Sequence, residues 1–157
     1  MQSRAHIYKH PIHPMLVVFP IGLWVFSFVC DIVAFNSSED ALFWSDMSFY
    51  TMLGGVIGAL AAAVPGFIDY LGLKDRRLKQ VATTHMVLNL VIVAIYVFNL
   101  GLRMNRSVTS FQPVVLVSAI ALVLLVISGW LGGSLVYVHG VAVEGDRTDV
   151  DRKDRAA

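Results

Sequence analysis

The sequence predicts an all-α integral membrane protein, a four-helix up-down bundle with both termini cytoplasmic. Three observations lead there. Of 157 residues, 57% are hydrophobic and only 15% charged, against about 45–50% and roughly 25% in soluble domains. A chain this short exposes too much surface to leave so little of it polar outside a membrane, and the mean hydropathy is +0.70. Four stretches reach the about 20 apolar residues that a helix needs to cross a hydrocarbon core about 30 Å thick. The basic residues, finally, sort to one side of those stretches.

The first span runs from about Pro14 to Phe35, with Asp31 its one charge, near the far end. It is too long for a signal-peptide core and has no small-residue cleavage site, so it is expected to be retained. The second, about Ser48 to Leu73, carries only Asp69. The third, about Val81 to Leu102, has no formal charge but contains His85. The fourth lies within 107–143, with Pro113 suited to its first turn and His139 near its end. Short connections at Asn36–Met47, Lys74–Gln80 and Arg103–Gln112 make neighbouring helices antiparallel. Residues 1–143 form one domain, 144–157 a polar tail, and no internal repeat is evident.

Cytoplasmic loops carry the excess of Lys and Arg. Arg4 and Lys9 precede the first span, Lys74, Arg76, Arg77 and Lys79 fill the second connection, and four more lie in the tail. Only Arg103 and Arg106 lie on the other side, where Glu39, Asp40 and Asp46 accompany them. The expected location is a bacterial inner membrane. A net charge of +1 argues against a nucleic-acid partner, which needs a strongly basic balance. The single cysteine, Cys30, excludes an internal disulfide or a Cys-based zinc or iron–sulfur site.

This topology gives each ionisable residue a depth. His10, His13, Asp69, His85 and His139 all fall at the cytoplasmic end, drawn from all four spans, and intramembrane ionisable residues are costly enough to mark function or the bundle interior. Helical spacing puts His13, Val17, Pro20, Trp24, Ser27 and Asp31 on one stripe, and His85, Asn89, Ile92, Tyr96 and Asn99 on another. The second span has a small-residue stripe, Gly54, Gly58, Ala62, Pro65, Gly66 and Asp69; the fourth has Ser128, Gly132 and His139 beside a second pair, Gly129 and Gly133. Small residues four apart admit a neighbouring helix or a flat ligand. In His10-Pro-Ile-His13-Pro the two prolines stiffen the entry to the first helix, and the spacing of three puts both imidazoles on one side if the turn is helical.

The segments HPIHPMLVVFPIGLW (10–24), GFIDY (66–70), HMVLN (85–89) and SGWLGGSLVYVHGVAV (128–143) resemble, in order and spacing, the bacterial membrane proteins called domain of unknown function 2231. The resemblance covers all four spans. It implies a four-helix membrane domain, and it tilts the chemistry toward redox work beside iron–sulfur and respiratory proteins. A His that such proteins often carry just before Phe-Pro-Ile is Val18 here.

The residues leave three readings open. One is a single b-type haem on the cytoplasmic side, since haem iron takes His as an axial ligand. His85 is the first candidate ligand, His13 its opposite number on a diagonal helix, and His139 or His10 an alternate; Asn89 orients His85, the Gly and Ala faces form the slot, and Lys74, Arg76 and Arg77 receive the propionates. A quinone or an iron–sulfur protein would exchange the electron. A second reading is one transition-metal ion (Zn, Fe or Cu) held by His13, His85, His139 and Asp69. The third is a cofactor-free accessory subunit of a larger complex or a homo-oligomer, with the polar layer serving as interhelical glue. No nucleophile–base set or phosphate loop is present, so no catalytic residue is assigned, and an electron-transfer or accessory subunit is expected rather than a stand-alone enzyme. His6 reads as solvated, Cys30 as inert, and Asp31, Trp24 and Trp44 as interface anchors. Tyr70, Trp130 and Tyr137 suit either a cofactor's flank or an aromatic belt.

Overall fold

The computed structural model describes residues 3–8, 10–104 and 111–141. Two short strands, β1 (His6–Ile7) and β2 (His10–Pro11), precede α1 (Ile12–Leu16), α2 (Val18–Asn36), α3 (Ala41–Leu71), α4 (Arg76–Met104) and α5 (Phe111–Gly133), and a π-helical turn, Ser134–Val138, extends α5. Four spans are long and apolar enough to cross a membrane: Ile12–Asn36, Ala41–Leu71, Arg76–Met104 and Pro113–Val138. The all-α four-helix membrane bundle is therefore the fold. The tail 144–157, Lys9 and Arg106 lie outside the described residues.

The first span is broken at Val17, because Pro20 has no N–H for the carbonyl of Leu16. The helices also begin earlier than composition suggests. Helix α3 starts at Ala41 rather than about Ser48 and α4 at Arg76 rather than about Val81, so segments expected as connections are helical. Asp75 caps α4, its carboxylate accepting from the backbone N–H groups of Arg77 (2.8 Å) and Leu78 (2.9 Å).

Helix α2 packs along α3, and α4 along α5. The outward faces are apolar and exposed, Val25, Phe26 and Val29 on α2 and Val123 and Val126 on α5 among them, as lipid requires. The interior is built from the predicted stripes: Pro20, Trp24, Ser27 and Asp31 are buried on α2 and Ile92, Tyr96 and Asn99 on α4. Trp24 and Tyr96 stack at the centre, ring centroids 4.3 Å apart and planes inclined by 12°. Gly55 makes room for the indole, whose N–H donates to the carbonyl of Met52 at 3.3 Å.

The buried positions reveal an internal repeat that residue identity hides. His13, Pro20, Trp24, Ser27 and Asp31 correspond to His85, Ile92, Tyr96, Asn99 and Arg103, each 72 residues on, the separation also spanned by the Asp31–Arg103 pair. Ser48, Met52, Gly55, Ala62 and Gly66 correspond to Val114, Ser118, Ala121, Ser128 and Gly132, each later by 132 − 66 = 66 residues. The hydrogen bonds repeat as well. Ser27 donates to the carbonyl of Ser48 (2.9 Å), and Asn99 to that of Val114 (2.9 Å). Trp24 meets its own counterpart Tyr96, and Asp31 its counterpart Arg103. Contact between counterparts marks a two-fold axis. Both hairpins start at the same end, so that axis runs along the bundle, parallel to the membrane normal.

Candidate functional site

At the basic end the repeat produces a matched pair of imidazoles. His13, on α1, places Nδ1 2.8 Å from the carbonyl oxygen of Ala62, and His85, on α4, places Nδ1 2.9 Å from that of Ser128. A carbonyl only accepts, so Nδ1 carries the proton in both rings and Nε2 keeps its lone pair. Each ring lies against the glycine one turn beyond its carbonyl. A Cβ at Gly66 would stand 2.8 Å from Nδ1 of His13, and one at Gly132 2.9 Å from Cε1 of His85. Pro65 withholds its N–H from the carbonyl of Ala61, which opens the α3 ladder one residue before the carbonyl that His13 uses.

Asn89 holds His85 in place. Its amide nitrogen donates to Ser128 Oγ (2.7 Å) and to the His85 carbonyl (2.8 Å). These short bonds occupy both N–H groups, and the same nitrogen is farther from the imidazole, 3.2 Å from Nε2. Ser128 Oγ also lies 3.1 Å from His85 Nδ1, closing a triad of His85, Asn89 and Ser128.

The other expected site residues are engaged elsewhere. Asp69 accepts from the Ser3 hydroxyl (2.7 Å), the Arg4 amide (2.7 Å) and the Ala5 amide (3.0 Å), anchoring the chain that leads into the β1–β2 hairpin. His10 lies in that hairpin, exposed, its Nδ1 2.9 Å from the carbonyl of Tyr8; the strand, rather than a helical turn, separates it from His13. His139 is exposed just after the π-helical turn. Among the described residues, no three His, Cys, Asp or Glu side chains form a group able to hold a metal ion. The small-residue faces are filled by the chain itself, Gly55 by Trp24, Gly58 by Pro20, Gly66 by His13 and Gly132 by His85, while Gly129 and Gly133 have open space before them. Lys74 and Arg76 line an outward cleft. Trp130 and Tyr137 are more than four-fifths exposed, on the outside of the bundle.

A second polar centre, unexpected from the sequence, lies near the opposite end. Asp31 and Trp24, expected as interface anchors, are 0% and 2% exposed. The Asp31 carboxylate takes a two-pronged ion pair from Arg103, Nη1 to Oδ1 at 2.8 Å and Nη2 to Oδ2 at 2.7 Å. The guanidinium also donates to Ser48 Oγ (3.1 Å) and Asn99 Oδ1 (2.9 Å), and Asn99 donates to Ser118 Oγ (2.9 Å). All four spans meet here, and the available signal was Asp31 sharing a stripe with Trp24 and Ser27.

No curated protein and no solved structure matches the chain. A family model described as a predicted membrane protein, DUF2231, matches residues 9–145, nearly all of the helical core. The chain belongs to the DUF2231 family of predicted membrane proteins.

Proposed function

We propose that this protein is a membrane redox subunit holding one b-type haem between His13 and His85. The observation that carries the reading is the matched pair of imidazoles, each with its Nδ1–H on a backbone carbonyl, which leaves the lone pair on Nε2, approached at His85 by the Asn89 amide at 3.2 Å. A ligating histidine is oriented in this way by its other nitrogen. Bound between two imidazoles, haem iron would cycle between its ferric and ferrous states, one electron at a time. The chain's part is to hold both rings by their carbonyls, with Asn89 and Ser128 fixing His85. A quinone or an iron–sulfur protein is the proposed electron partner, at the cytoplasmic face of a bacterial inner membrane, where the basic end would lie. The set of His13, His85, His139 and Asp69 is not assembled around one point, which favours a two-histidine centre over a metal ion with that shell.

The glycine faces, filled by the chain's own rings, favour a second reading in which His13 and His85 pin neighbouring helices and no cofactor is bound. Reconstitution decides between them. The detergent-purified protein is mixed with ferric haem and reduced, and a stoichiometric Soret band with resolved reduced α and β bands, lost in both His13→Ala and His85→Ala, is expected. Absence of a bound-haem spectrum in the folded wild type would overturn the proposal and leave the pins.

A further inference from the structure

We infer that the outward cleft between α4 and α5 at the basic end is a binding site for one anionic glycerophospholipid. The cleft has a volume of about 960 Å³ and is open to the outside of the bundle. Lys74, Arg76 and Lys79 stand at its mouth, Thr83 and Thr84 below them, and Val87 and Val91 deeper still, against Ile127 and Leu131 of α5. On α4 these positions recur at three- and four-residue spacing, so they form one stripe. That stripe grades from cation through hydroxyl to aliphatic over the 91 − 76 = 15 residues from Arg76 to Val91, or about 22 Å of helix. A phospholipid presents the same order, from phosphate through glycerol and ester oxygens to acyl chain.

Among the described residues no carboxylate pairs with these cations. Asp75, the nearest acid in sequence, is spent capping α4, and Asp69 is spent on Ser3, Arg4 and Ala5. The ion pair found among the described residues is Asp31–Arg103, at the other end. Lys79 is held over the ring of Tyr70, Nζ 5.4 Å from its centroid, and the Tyr70 hydroxyl is 3.1 Å from Thr83 Oγ1. A zwitterionic or neutral lipid would leave the positive mouth unmatched, and a water-soluble phosphate would leave the aliphatic wall uncovered. Basic pockets between spanning helices on the cytoplasmic side are suited to acidic headgroups.

Native mass spectrometry of the full chain, released from mild detergent, tests this with phosphatidylglycerol and phosphatidylcholine of identical acyl chains. One phosphatidylglycerol is expected to be retained in preference to phosphatidylcholine. The double variant Arg76→Gln with Lys79→Gln should weaken its retention roughly 30-fold, which corresponds to about 1 kcal/mol per cation, and the charge-preserving pair Arg76→Lys with Lys79→Arg should keep it. Val91→Trp, which fills the apolar wall and leaves the cations in place, should also lower retention. Equal retention of the two lipids, or displacement by millimolar inorganic phosphate with no dependence on acyl chains, would overturn the proposal. So would phosphatidylglycerol binding that emerges only after deletion of residues 144–157, because the tail would then be the occupant.

Discussion

Single glycines decide where the rings of this bundle sit. Gly66 and Gly132 let His13 and His85 lie close against α3 and α5, since a Cβ at either would stand within 3 Å of the imidazole. An alanine there must displace the ring from the carbonyl that fixes its Nδ1. Gly132→Ala is expected to destabilise the protein by about 1–3 kcal/mol, the usual cost of overpacking, and to lower haem affinity with it. Gly129→Ala, three residues away and facing open space, should be neutral or slightly stabilising, because alanine is the better helix former. Thermal unfolding in detergent, followed by size-exclusion fluorescence, separates the two variants. Equal behaviour would show that the close approach does not constrain the histidine.

At the scale of the helix, the stripes were legible but their pairing was not. The periodicity of His85, Asn89, Ile92, Tyr96 and Asn99 gave the buried face of α4, because lipid does not tolerate such residues and only one direction avoids it. Which helix each residue meets is set by the folded bundle. Asp31 and Arg103 are 72 residues apart, and each read by itself as a charge near a membrane surface. The repeat was invisible for a related reason. Apart from His13 with His85 and Gly66 with Gly132, its counterparts keep the job and change the residue: Trp24 and Tyr96 both stack, Ser27 and Asn99 both donate to a carbonyl, and Asp31 and Arg103 share one ion pair. At the basic end the sequence singled out His13 and His85, and each lies against a backbone carbonyl of the neighbouring helix. It could not foresee that residues 3–5 would take Asp69, since such a contact follows from how the chain enters the bundle. Asp69→Asn should weaken those charge-assisted bonds and release the N-terminal segment, so limited proteolysis should cut ahead of α1 sooner than in the wild type; unchanged cleavage would remove Asp69 as its anchor.

The ion pair makes the same point with energies attached. Arg103 is 7% exposed on its side chain and Asp31 0%, so removing either partner leaves an uncompensated charge in a low-dielectric interior. Asp31→Ala or Arg103→Ala should each destabilise the protein by about 3–5 kcal/mol, whereas replacing the pair together with apolar residues should cost far less. Because Ser48, Asn99 and Ser118 also hold the pair, the double-mutant coupling should be large and favourable. Additive losses would mean that the two charges are solvated separately.

For the whole molecule, the two-fold arrangement makes a statement about assembly. Each hairpin, α1–α3 and α4–α5, is internally packed, and the link between them is the short connection from Gly72 to Asp75. On the axis the hairpins are joined by the Trp24–Tyr96 stack and the Asp31–Arg103 pair, while each histidine bonds within its own hairpin. In lipid the hydrophobic effect does not drive helices together, so association rests on packing and on polar contacts of this kind. Residues 1–73 and 74–157, expressed together as separate chains, are therefore expected to reassemble into one bundle that copurifies through a tag on either half. Charge supplies the control. Arg103→Glu in the second half places two carboxylates on the axis and should abolish copurification, and Asp31→Arg in the first half should restore it by re-forming the pair in reverse. If the halves associate equally well with like charges facing each other, the axis does not hold the bundle together, and the outer contacts between α3 and α4 and between α2 and α5 must do so instead.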